Sequence, residues 1–123
     1  VDLVEFLTAR LDEDERTARG VLWDGSGNEL QWSLPFSATI QVGTELFTTD
    51  DGAVAEHIAR HDPARVLAEV DAKRRILADY ERFVAERRRM MGGWDSYPEV
   101  SPILAALALP YADHPDYDEA WRP

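Results

Sequence analysis

The chain has 123 residues, 45% of them hydrophobic and none of them cysteine, and 13 Lys plus Arg stand against 24 Asp plus Glu for a formal charge of −11. That length suits one ordinary domain with room for a core, and apolar residues spread along it exclude wholesale disorder. Lack of cysteine excludes disulfides, thiolate nucleophiles and Cys-type zinc or iron–sulfur sites and suits a reducing cytoplasm, while the negative charge disfavours phosphate backbones and anionic membranes.

Residues 2–19 predict a helix, because Leu3, Val4, Leu7, Leu11 and Ala18 recur near one face at spacings of three and four. Asp2 with Glu5 resembles a capping box, and Gly20 is a natural stop. The segment lacks the basic region, apolar run and cleavage site of a signal peptide, and no stretch of the chain is apolar enough for a membrane span.

From residue 21 to about 50 the period changes to two. "ELQWSL" sets Leu30, Trp32 and Leu34 on one face, "SATIQV" does likewise with Ala38, Ile40 and Val42, and "ELFTT" returns after Gly43-Thr44. Glycine in the first central position suits a type II′ hairpin turn. "DGSGN" is a second turn; its calcium-loop spacing fails, since Glu29 stands where glycine is needed and Pro35 where the final glutamate is needed. The expectation is a three- or four-stranded antiparallel meander, half-buried on its Trp/Leu face.

From residue 51 the chain is helical: about 52–61, then 63–91, then a short helix after Ser101-Pro102 and a last turn around Pro115. Asp62 and Ser101 each precede a proline, and a capping side chain followed by proline starts a helix well because proline lacks the amide hydrogen left unsatisfied there. The long helix carries Val66, Val70, Leu77, Tyr80 and Val84 on one stripe, widened by Ile76, Phe83 and Met90. It would run roughly 40 Å, which makes its "ERRRMMGG" end a candidate for pairing with another chain. The fold class expected is α+β in a single domain, with a helix over 1–20, the meander over 21–50, a helical hairpin over 51–91, and a C-terminal helix and clasp over 92–123.

His57 and His61 sit four apart, the spacing of a helical zinc pair, and His114 is the one further histidine. The metalloprotease pattern wants Glu after the first histidine, where this chain has Ile58. Val54 and Ile58 share their face, so the pair reads as part of an inward stripe bonded to a carbonyl or carboxylate at the helix junction. A metal, small-ligand or hydrolase role for His57, His61 and His114 is the alternative. No nucleophile elbow, phosphate loop or dinucleotide fingerprint occurs, and no cofactor is implied.

Between Pro63 and Met91 eight bases face five acids for +3, which leaves −14 on the rest of the chain. Arg87, Arg88 and Arg89 read as a solvated helix face that offsets the helix dipole at its C-terminal end or, as a contact surface, suit a protein partner or self-association through the long helix better than nucleic acid. The acidic surface also allows a nucleic-acid mimic that inhibits a DNA or RNA enzyme. Tyr111, Tyr117 and Trp121 fit a structural clasp or, if exposed, a recognition surface.

Three stretches, "DLVEFLTARLDEDE", "AEHIARHDPARVLAEVDAKRRIL" and "LALPYADHPDYDEAWRP", resemble a family of small uncharacterised proteins of actinobacteria and their phages, with its "HIARHDPARVLAEVEAKRRI" helix and "YADHPDYxEEWRP" tail. The resemblance covers about half the chain and implies no activity. Members look to carry cysteines between the long helix and the tail, which beside the histidines would suggest zinc; here that stretch is "MMGGWDSYPEVSP". The reading of the whole is a small, acidic, non-enzymatic protein-interaction module, an accessory factor of a phage or mobile element acting on a host protein.

Overall fold

The structure is a computed structural model that describes residues 1–21, 25–92 and 100–123. It is α+β: α1 (Leu3–Arg19), a sheet of β1 (Ser33–Phe36), β2 (Thr39–Val42) and β3 (Glu45–Thr48), then α2 (Gly52–Arg60), α3 (Pro63–Met91) and α4 (Pro102–Ala108). The described residues group into two compact units, Val1–Asp12 with Asp71–Pro123, and Glu13–Val70.

Helix boundaries follow their caps. The Asp2 carboxylate accepts from the Glu5 amide at 2.8 Å, and Gly20 closes α1 by donating to Arg16 O at 2.9 Å. Asp51 caps α2 through the Ala53 amide at 2.9 Å, and Asp62 caps α3 through the Arg65 amide at 2.9 Å. Ser101, buried, accepts from the Leu104 amide at 3.4 Å ahead of Pro102. Each cap satisfies an amide that has no partner within its own helix.

In the Glu13–Val70 unit the three strands form an antiparallel meander in the order β1-β2-β3. Val42 pairs with Glu45 across Gly43-Thr44; Gly43 has φ +60 and no described non-glycine residue has positive φ, which fits the type II′ turn. β1 begins later than the alternation suggests. Asn28–Leu30 form a 3-10 turn entered from Gly27 at φ +80, and Trp32 is tied down before the strand, its indole donating to Glu29 O at 2.7 Å and its amide to Asp62 at 3.1 Å. Leu30 and Trp32 thus lie outside the ladder. Residues 22–24 of the expected meander lie outside the described residues.

The sheet is also less covered than expected. Thr39 and Ile40 of β2 are buried, but Leu34, Phe36, Leu46 and Phe47 are 39–67% exposed. α2 packs on β1 and β2, and it does so through small residues: Gly52, Ala55 and Ala59 recur on one face, and Ala55 is fully buried. A Cβ on Gly52 would stand 2.9 Å from Ser37 O, so the helix approaches the β1–β2 turn too closely for a larger residue.

In the other unit the core is built from Leu3, Phe6, Leu7 and Leu11 of α1, Leu77 of α3, Leu104, Ala105 and Ala108 of α4, and Tyr117 and Trp121 of the tail. The tail folds through 3-10 turns at Leu109–Tyr111 and Glu119–Trp121. Arg74 of α3 donates to Asp12 of α1 at 2.8 Å. No helix among the described residues is long and apolar enough to cross a membrane.

Candidate functional site

Three places bring together the residues that the sequence singles out. The first is the tail. Phe6 lies among Tyr111, His114, Tyr117 and Trp121 at ring-centroid separations of 6.5, 5.7, 5.9 and 5.0 Å, and Tyr117 meets Trp121 edge-on at 5.6 Å. Tilted and edge-to-face contacts of this kind add to simple area burial. Trp121 and Tyr117 are 7% and 9% exposed, so they act as a clasp; Tyr111 is half-buried, with the Lys73 ammonium 5.7 Å from its ring centre.

Arg10, buried at 8% exposure, lies with its guanidinium 5.1 Å from the Phe6 ring centre and donates to His114 Nε2. The Asp116 amide reaches His114 Nδ1 at 3.0 Å. A neutral imidazole accepts through one nitrogen only, so these two contacts are alternatives set by its tautomer. Next to this cluster, the Arg122 hydrogen bond to Glu119 at 2.8 Å holds the Glu119 carboxyl below the usual carboxylate range.

Phe6 and Arg10 are the residues that reading for a hydrophobic stripe passes over. The spacing 3, 6, 7, 10, 11 would have found both, because an arginine can bury its stem along the same face as the leucines.

The second place is the histidine pair. His57 and His61 are both exposed, as are Val54 and Ile58, so the pair does not lie in an inward stripe. The small-residue face described above is the one that α2 buries, which turns the bulkier side chains outward. The two rings stand 4.4 Å apart at 34°, and His61 Nδ1 donates to His57 O at 2.7 Å, at the C-terminal end of α2. His61 also lines a small apolar groove of about 300 Å³ with Ala18, Val21, Trp32, Pro63 and Val66. His114 belongs to the other unit. Among the described residues no group of three His, Asp or Glu side chains is arranged to hold a metal.

The third is the outer face of α3. Leu77 is buried and Val84 half-buried on the inner stripe, whereas Ile76, Phe83 and Met90, seven residues apart, are 40%, 50% and 81% exposed. A seven-residue repeat keeps a narrow apolar seam on one side of a helix. The residues expected to widen the inner stripe therefore form a separate outer one. An open groove of about 580 Å³ runs beside it, lined by Arg75, Ile76, Asp79, Tyr80, Phe83 and by Ile103 of α4. A second, of about 210 Å³, continues through Phe83, Glu86, Arg87, Met90 and Met91. Arg87, Arg88 and Arg89 are exposed at this end of the helix.

No curated protein and no solved structure matches the chain. A family model described as a family of unknown function, DUF6221, matches residues 1–123. With that match running over every element described above, the chain belongs to the DUF6221 family.

Proposed function

We propose that this chain is a non-enzymatic protein-interaction module whose contact surface is the outer face of α3 between Arg75 and Met91. The observation that carries the reading is the exposed Ile76, Phe83 and Met90 seam, repeated every seven residues; Arg75 and Arg82 beside it pair with Asp71 and Asp79, and Arg88 and Arg89 stand exposed at its C-terminal end. An apolar seam with a basic end fits an amphipathic helix that carries acidic residues at one end, the helix-in-groove mode of recognition. The partner is a host protein or a second copy of this chain, and the setting is a cytoplasmic accessory factor of a phage or mobile element. That setting is what the resemblance of the tail and the middle helices implies.

The acidic-mimic reading has less support. Along the helices Glu15, Glu56, Glu69 and Asp71 each pair with an arginine at 2.9–3.1 Å, which breaks up the carboxylate array that would imitate a phosphate backbone. The test of the proposed surface is a comparison of the wild-type chain with an Ile76→Asp, Met90→Asp variant, scored by native mass and by the proteins retained in an affinity capture. Loss of a stoichiometric partner, or of a dimer, in the variant supports the proposal. Identical behaviour of the two chains rejects it.

A further inference from the structure

We infer that His57 and His61 form a two-imidazole surface site for a divalent transition ion, Cu²⁺ above Zn²⁺, independent of the α3 surface. The two exposed rings, one in the last turn of α2 and the other on its C-cap residue, stand 4.4 Å apart and tilted by 34°. The bond from His61 Nδ1 to the His57 carbonyl at 2.7 Å decides the tautomer, because a carbonyl only accepts and Nδ1 must then carry the proton. Nε2 of His61 is left with its lone pair. An imidazole held by a carbonyl through one nitrogen and ligating through the other is the usual outer-shell arrangement of metal-binding histidines.

The His57 imidazole makes no hydrogen bond among the described residues, so turning a nitrogen toward a shared ion costs it no existing bond. Two neutral nitrogens favour an imidazole-preferring ion, and the order of divalent affinities puts Cu²⁺ ahead of Zn²⁺. The surrounding charge works in the same direction: residues 13–70 hold eleven acids against four bases, which raises the local concentration of cations. Water would complete the coordination, so the site is one of modest affinity.

The experiment is a titration of the full chain with Cu²⁺, followed by calorimetry and by electron paramagnetic resonance, and repeated with Zn²⁺ in calorimetry. One Cu²⁺ per chain with the hyperfine signature of two imidazole nitrogens is expected, with weaker Zn²⁺ binding. His57→Asn should weaken Cu²⁺ binding by more than about tenfold, since even loss of an outer-shell partner costs that much, and His114→Asn should leave it unchanged. His57→Asn is the deciding variant, because His61 helps to end α2 and its replacement disturbs the helix as well. Cu²⁺ binding of wild-type strength in folded His57→Asn, binding abolished by His114→Asn, or no Cu²⁺ uptake by the wild type would each overturn the inference.

Discussion

Phe6 meets four rings at 5.0–6.5 Å and is 1% exposed, so its truncation would remove both the apolar transfer energy and the partner of every ring in the tail. Phe6→Ala is expected to cost about 3–5 kcal/mol, read from the urea midpoint, and to release the tail to protease earlier than the rest of the chain. Tyr117 behaves oppositely. Its hydroxyl is buried and has no hydrogen-bond partner among the described residues, so the folded state carries an uncompensated desolvation cost. Tyr117→Phe keeps the ring contacts and should leave stability unchanged or raise it by about 1 kcal/mol. A loss of stability on thermal or urea unfolding would show that the hydroxyl has a stabilising role.

At the scale of elements, what local chemistry decides was legible and what a partner decides was not. Asp-Pro and Ser-Pro fix the starts of α3 and α4 because a cap and a missing amide hydrogen act within three residues. The start of β1 was misplaced because alternation in "ELQWSL" does not reveal that Trp32 is anchored from outside by Asp62 and Glu29. The histidine pair shows the same limit: the four-residue spacing places both rings on one side of α2, but whether that side faces in depends on the bulk of the opposite side. Periodicity along α3 likewise merges two stripes that the structure separates. Gly52 tests the packing of α2 directly. Glycine to alanine in a helix ordinarily gains about 0.5–1 kcal/mol, but a Cβ there would meet Ser37 O at 2.9 Å. Overpacking of that kind costs about 1–3 kcal/mol. Gly52→Ala should therefore destabilise the chain in a thermal melt, and a raised melting temperature would mean that α2 can move off the turn.

Over the whole molecule, the charge of −11 sets the background against which any partner is met. Exposed ion pairs along the helices contribute about 0–1 kcal/mol each, so they tune solubility and encounter more than fold. An apolar seam with a basic end predicts a contact whose association rate falls with salt but whose complex persists at 1 M, where screening acts over about 3 Å. Binding that disappears between low and high salt would instead favour the acidic mimic.

The most direct measurement is affinity capture from cell lysate with the wild-type chain and the Ile76→Asp, Met90→Asp variant side by side, read by mass spectrometry together with the native mass of each. Met90 is 81% exposed and Ile76 40%, and circular dichroism and a thermal melt check that the variant folds. A contact surface on the outer face of α3 requires one stoichiometric partner, or a dimer, that the wild type holds and the folded variant loses. A folded variant that keeps the same mass and the same captured proteins as the wild type would contradict it.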